Sequence, residues 1–242
     1  MRAVVQAFER WLGLVLLALI GLQLFFVARI AVMAWIDPQT TTFQRSEMWQ
    51  QWNAAPSRPW MQQWVDYDQI SDHLKRAVLT AEDDRFTQHN GVQWDAIERA
   101  WERNQKQQER LAQHPQGKAA KVFGGSTITQ QLAKNLLLSG ERSFLRKGQE
   151  LLLAHALELL LDKPRILEIY LNNIEWGNGI FGAEAAARHY FGKSAAKLTP
   201  HEAAKLAVML PNPRYFESQL QSSYITQRSQ SIARRMAATP LP

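Results

Sequence analysis

From Leu12 to Ile36 the chain carries a single charge, Arg29, and from Leu12 to Ala28 it is apolar apart from Gln23 and the glycines. About 20 apolar residues cross the hydrocarbon core of a bilayer, where backbone polar groups have no water to bind, so such a run must be a helix. Val32-Met33-Ala34 would serve as a small-residue cleavage site, but the apolar stretch is too long for the core of a typical signal peptide. Arg29 lies toward one end, where its stem can carry the guanidinium to the headgroups. Charge leaves the orientation open, because Arg2 and Arg10 precede the run while Arg29 and Arg45 follow its core.

The remainder has room for one sizeable globular core, since the 242 residues are 46% hydrophobic. A formal charge of +6 points to an acidic partner: a phosphate-bearing lipid, an anionic membrane surface or nucleic acid. No zinc-finger spacing, glycine-rich nucleotide loop or aromatic RNA-binding motif supports nucleic acid. The absence of cysteine removes disulfide and thiolate chemistry. Residues 37–64 read as a juxtamembrane connector, with Trp49, Trp52, Trp60 and Trp64 suited either to the membrane interface or to packing.

Three constellations carry chemistry. In the first, Leu74, Ala77, Val78 and Ala81 recur at helical spacing, with Ser71 or Asp72 as cap, and Glu82 borders that buried stripe where the chain breaks into Asp83-Asp84-Arg85-Phe86-Thr87-Gln88-His89-Asn90-Gly91. Partial desolvation disfavours a charged carboxylate and lifts its pKa toward the range of a general acid or base. A lone Glu at a helix end is more often merely solvated, and its neighbours decide.

In the second, Gly124-Gly125-Ser126-Thr127-Ile128-Thr129-Gln130-Gln131-Leu132-Ala133-Lys134-Asn135, the glycines permit close backbone approach and Ser126 or Thr127 can cap a helix. Gln131, Lys134 and Asn135 share one helical face able to grip a sugar or phosphate. In the third, Arg146 and Lys147 stand four and three residues before Glu150, so one face presents two cations and a carboxylate. In isolation that would be a surface ion-pair cluster. The leucine-rich run that follows to Leu161 reads as a strongly buried helix, and there the cations could neutralise a leaving pyrophosphate.

The other signals are helical too. A short helix around Val92, Ile97, Ala100 and Trp101 is expected to dissolve into a polar run through Lys121, mobile and able to cover a groove. Pro164 opens a helix containing Arg165-Ile166-Leu167-Glu168-Ile169-Tyr170-Leu171-Asn172; Gly192 closes an alanine-rich one, and Thr199-Pro200-His201-Glu202 is a capping box. The Gln- and Ser-rich tail bearing Arg228, Arg234 and Arg235 is expected to form a solvated helix.

Taken in order, Glu82-Asp83-x-x-Phe86-x-x-His89-x-Gly91, the Gly124 to Asn135 segment, Arg146-Lys147-x-x-Glu150 and Arg165-Ile166-Leu167-Glu168-x-Tyr170-Leu171-Asn172 closely resemble the peptidoglycan glycosyltransferase family, which polymerises lipid II. The resemblance implies a mainly α, lysozyme-like glycosyltransferase domain over residues 65–215 with a small membrane-proximal lobe. Around it lie a short cytoplasmic tail (1–11), a transmembrane helix (12–36), the connector (37–64) and a helical C-terminal tail (216–242). With no serine-based penicillin-binding domain in the chain, the monofunctional members are the nearer match.

By that resemblance Glu82 is the general base toward the acceptor's 4-hydroxyl, and Glu150 positions the donor phosphates, directly or with a divalent cation (Mg²⁺ or Mn²⁺) held jointly with substrate; no organic cofactor is implied. Lys134, Arg146 and Lys147 offset charge growing on the leaving group, and Asp83, Phe86, His89, Gln131 and Asn135 match the family's site positions. His89 could equally be a structural histidine. The sequence holds no metal-ligand spacing of its own. The implied partners are lipid II, the lipid-linked growing glycan and the inner membrane, with the catalytic domain on the periplasmic side; wall-synthesis or division proteins would be further partners. A lytic lysozyme-like enzyme would share the helical glutamate but not need the cation cluster, and a non-catalytic scaffold would tolerate loss of Glu82 and Glu150.

Overall fold

The computed structural model describes residues 2–52, 60–113, 124–138 and 143–242. Helix α1 (Arg2–Val32) runs without a break through the apolar stretch, starting earlier than residue 12 and ending short of Ile36. Its segment Val4–Val32 is long and apolar enough to cross a membrane, which makes it a candidate anchor. Only its C-terminal end enters the protein core, where Ile30 and Met33 are buried.

The connector is not a free linker. Helix α2 (Thr42–Trp52) begins with a reciprocal cap, Gln44 N–H donating to Thr41 Oγ1 at 3.0 Å and Thr41 N–H to Gln44 Oε1 at 2.8 Å, both residues fully buried. Strand β1 (Met61–Gln62) follows, and Trp60 lies 4.6 Å from the Phe181 ring. Trp64 packs on the core under the Arg165 guanidinium, so Trp60 and Trp64 take the packing role, whereas Trp49 and Trp52 stay exposed.

Helix α3 (Asp72–Glu82) is capped by Ser71 and buries Leu74, Ala77, Val78 and Leu79. Helix α4 (Trp94–Gln113) corrects one expectation: instead of ending near Trp101 it runs through the polar stretch as a largely exposed amphipathic helix. The rest of that stretch, to Lys121, lies outside the described residues. Helix α5 (Ile128–Leu137) starts from a full capping box between Thr127 and Gln130. Helix α6 (Phe144–Leu160) corrects another: Leu153, Ala154 and Leu157 are buried, but Phe144, Leu145, Leu152 and Leu159 face outward. α6 lies beside α1, where Gln23 and Gln149 exchange amide hydrogen bonds at 2.9 and 3.0 Å.

Helix α7 (Lys163–Asn173), capped by Asp162 with Pro164 in its first turn, leads to a small sheet. Strand β3 (Ile180–Phe181) pairs antiparallel with β2 (Glu175–Gly177) and parallel with β1, in the register Met61 to Ile180 and Gln62 to Phe181. Helices α8 (Ala183–Phe191), α9 (Pro200–Met209) and α10 (Pro213–Phe216) continue the domain. Helix α11 (Ser223–Arg235) is not the solvated tail its composition implied. Ile225, Ser229 and Ile232 are buried against α9 and α3, and the Arg235 guanidinium donates to the Thr80 carbonyl at 3.0 Å. The tail thus buttresses the helix that ends at Glu82.

Candidate active site

Glu82 is the last residue of α3, and its carboxylate accepts a hydrogen bond from Gln131 Nε2 at 2.8 Å. Burial, with the Asp83 charge alongside, pushes its pKa up, and the Gln131 bond opposes part of that rise. Gln131 Oε1 in turn accepts from the Tyr170 hydroxyl at 3.1 Å. Tyr170 is fully buried, and burial plus the charges of Glu82 and Asp83 drive its pKa well above the ordinary phenol value, so it remains a donor.

Asp83, next in the chain, fastens the site together. One of its oxygens accepts from the Ile128 N–H at 3.0 Å, at the start of α5, and both lie 3.0 Å from His89 Nε2. The Gly91 N–H donates to His89 Nδ1 at 3.1 Å, so the ring proton sits on Nε2 and faces the carboxylate. Gly91 has φ +88°, a conformation suited to glycine, and its carbonyl accepts from Thr127 Oγ1 at 2.6 Å. Phe86 is buried beneath the Lys163 ammonium. His89 and Phe86 therefore brace the turn that aims Glu82. Gly125 has its own reason: a Cβ there would meet the α4 backbone at Ile97 Cα, 2.9 Å away.

A cavity of about 840 Å³ opens beside this corner, lined on the α5 and α6 side by Gln131, Lys134, Asn135 and Arg146. Glu150 lies behind it, buried, with Arg146 Nη1 at 2.9 Å and the Lys147 ammonium on its other oxygen; Lys147 also donates to Ser126 Oγ at 3.2 Å. Arg146 Nε is buried without a partner among the described residues, leaving a donor available. Both Glu150 oxygens are occupied by cations, and no group of three His, Asp or Glu side chains stands ready for a metal among the described residues.

The opposite wall comes from residues that sequence reasoning left out. Thr42, Phe43, Arg45, Ser46 and Glu47 of α2 line the cavity, with Glu175 and Pro213. Arg214 secures that wall, reaching Glu47 at 2.5 Å and Glu175 at 2.7 Å. Burial raises the Glu175 pKa against the pull of Arg214. The signal that could have located α2 was the Thr41-x-x-Gln44 capping pair inside the supposed connector.

The fourth motif works as a fastener. Arg165 donates to the Met33 carbonyl, Asp37 and Glu168 at 2.7 to 2.8 Å, tying the end of α1 to α7. Asn172 makes two 2.9 Å bonds to the backbone of Val65, while Tyr170 alone turns toward Glu82.

Residues 50–237 match the family described as Transglycosylase, an interval that begins before residue 65 and extends past 215. The chain is 50% identical over 237 residues to a biosynthetic peptidoglycan transglycosylase of Paraburkholderia xenovorans, covering 96% of this chain and 94% of that one. It is 50% identical over 220 residues to the protein of that name from Bordetella pertussis, covering 91% and 88%, and 49% identical over 241 residues to that of Bordetella avium, covering 98% of each. Its helical architecture is the lysozyme-like glycosyltransferase fold of that family. On the family match and on these identities alike, the chain belongs to the transglycosylase family.

Proposed function

We propose that this protein polymerises lipid II into β-1,4-linked peptidoglycan strands, with Glu82 as general base. The observation that carries this reading is the Glu82–Gln131–Tyr170 chain at the edge of a cation-lined cavity. Glu82 takes the proton from the 4-hydroxyl of the acceptor's terminal N-acetylglucosamine. That oxygen bonds to C1 of the lipid-linked donor, the C1–O bond to pyrophosphate breaks, and the pyrophosphate leaves with the electron pair. Attack opposite the leaving group inverts C1. The raised Glu82 pKa makes it a stronger base than an ordinary carboxylate, and the Gln131 bond keeps one oxygen aimed.

Arg146, Lys147 and Lys134 stabilise charge that grows on the leaving group, which lowers the barrier only to the extent that they bind it more tightly in the transition state. Glu150 holds the first two in place. A divalent cation held with the pyrophosphate would have to compete with these side chains for Glu150. Lys134 and Asn135 bind the donor from α5. Asp83, His89 and Phe86 serve by holding the turn.

With α1 across the inner membrane and the domain on the periplasmic side, the groove meets a substrate whose polyprenyl tail stays in the bilayer. The outward apolar side chains of α6 beside α1 are suited to the same surface. The test is purified full-length protein and Glu82→Gln in parallel with labelled lipid II in detergent, followed by gel separation. A polymer ladder from the parent alone supports the reading. Equal polymer from both removes Glu82 as base, and cleavage of preformed glycan without polymer makes the enzyme lytic.

A further inference from the structure

The turn that aims Glu82 is gripped from a second side by Lys163 and Glu158, which lie outside the four motifs. Lys163 Nζ donates to the His89 carbonyl at 2.7 Å and to Glu158 Oε1 at 2.8 Å, and it stands 4.3 Å from the centre of the Phe86 ring. The same Glu158 oxygen accepts from Thr129 Oγ1 at 2.6 Å, so a carboxylate on α6 gathers in both α5 and α7. The pair is well shielded, with the Lys163 side chain 19% exposed and that of Glu158 6%, and neither residue lines the cavity.

The turn also lies directly on α6. A Cβ at Gly91 would meet the Ala154 carbonyl oxygen and Glu158 Cγ, each at 3.2 Å. His89 is thus held at both ends, its ring by Asp83 and its carbonyl by Lys163. Because α6 also carries Arg146 and Glu150, the Lys163–Glu158 pair joins the segment that follows the base to the helix that bears the cations. A charge-assisted hydrogen bond is roughly twice as strong as a neutral one, which suits a joint whose geometry matters.

The geometry points to Lys163 as a positioning residue for glycosyl transfer: with Glu158 it fixes where the Glu82 carboxylate stands relative to the Arg146 and Lys147 cations. From behind the cavity it acts through the backbone of the turn from Phe86 to Gly91. A displacement of about 1 Å at a reacting group can cost about a hundredfold in rate, so such a joint governs turnover more than binding. This rests on the reading of Glu82 as general base.

The experiment compares full-length parent, Lys163→Met, Lys163→Met/Glu158→Gln, Lys163→Arg and Arg188→Gln in lipid II kinetics and in thermal melting. Lys163→Met leaves a shielded carboxylate without its cation, so it should lose stability as well as rate. The double variant removes both charges, and the glutamine oxygen still accepts from Thr129, so its Tm should return toward that of the parent. The tie to the His89 carbonyl stays broken. Its kcat per folded molecule, measured well below Tm, should therefore remain about tenfold to a hundredfold down, with KM within about twofold. Lys163→Arg keeps a cation in place and should recover most of the rate. Arg188→Gln takes the cation from buried Glu184 on α8, none of whose residues lines the cavity, and any cost should appear in Tm and not in kcat. A double variant whose kcat recovers together with its Tm would make the pair structural only and overturn the assignment, as would a tenfold rise in KM at unchanged kcat. Absence of polymer from the parent itself would instead overturn the polymerase reading, and this role with it.

Discussion

Tyr170 donates its hydroxyl to Oε1 of Gln131 at 3.1 Å, and this decides which way the Gln131 amide faces. With its oxygen engaged, Gln131 can present only its NH₂ to Glu82, and does so at 2.8 Å. A buried phenol on α7 thereby orients, through one amide on α5, the carboxylate that ends α3. The arrangement holds the base while leaving its pKa raised, because a single amide donor opposes the burial only in part.

Replacing Tyr170 with Phe frees the amide to flip. Loss of one orienting hydrogen bond, about 1–2 kcal/mol, should reduce kcat by roughly 5- to 30-fold with little change in KM. Because the Gln131 bond lowers the Glu82 pKa, weakening it should also move the acid limb of the pH–rate profile upward. Both are read from lipid II kinetics across pH, and a limb that stays in place would separate Tyr170 from Glu82.

Glu82→Gln should abolish turnover yet raise stability near neutral pH. The folded-state pKa of Glu82 lies above the unfolded one, so its contribution to stability is fully present below the unfolded value and is lost as pH rises through the folded value. At pH 7.5 the parent bears the cost of a partly desolvated charge that the glutamine lacks. Glu82→Gln should therefore melt at a higher temperature than the parent at this pH. Thermal unfolding at a series of pH values should show the gap closing as pH falls toward the ordinary carboxylate range.

His89→Ala removes the partner of a buried carboxylate and an acceptor of the Gly91 N–H. Stability should fall by about 1–3 kcal/mol, with activity lost in parallel and recovered in part on cooling. Arg146→Ala should weaken donor use and also lower Tm, though by less than His89→Ala, because it removes a cation that borders the cavity while Lys147 still pairs with the buried Glu150. Activity and melting curves of the two variants side by side make the comparison.

Gln23→Leu deletes both amide bonds to Gln149. Each hydrogen bond is worth about 0.5–1.5 kcal/mol, so α1 should loosen from α6. Increased distance spread between spin labels on exposed positions of α1 and α11 would register it, and an unchanged distribution would place the coupling at Arg165 and at the buried Ile30 and Met33.

The helices were legible because periodicity and caps are local: Ser71, Thr127, Asp162 and Thr199 each cap the helix that follows. The second wall of the groove was not, because α2 becomes a wall only through Arg214, far along the chain, and through Thr42 bonding to Leu136. The C-terminal tail misled for a related reason. Ile225, Ile232 and Met236 form a thin apolar stripe among polar residues, and its burial depends on a surface offered by α9 and α3. Leucine content misled on α6, since composition does not say which leucines face the protein. The motif residues were found by pattern, but the pattern did not separate those that face the cavity, such as Lys134 and Arg146, from those that hold it together, such as Asp83 and Arg165.

If α1 is the membrane anchor that its length and composition allow, its docking governs how the protein meets membranes of different thickness. A free transmembrane helix absorbs hydrophobic mismatch by tilting. Here the helix is fixed to the domain by Gln149 at mid-length, by Arg165 at its end and by Ile30 and Met33 in the core. With α1 across the bilayer, any tilt it adopts is a tilt of the whole groove, so the thickness of the lipid sets the angle at which the catalytic cleft stands to the surface.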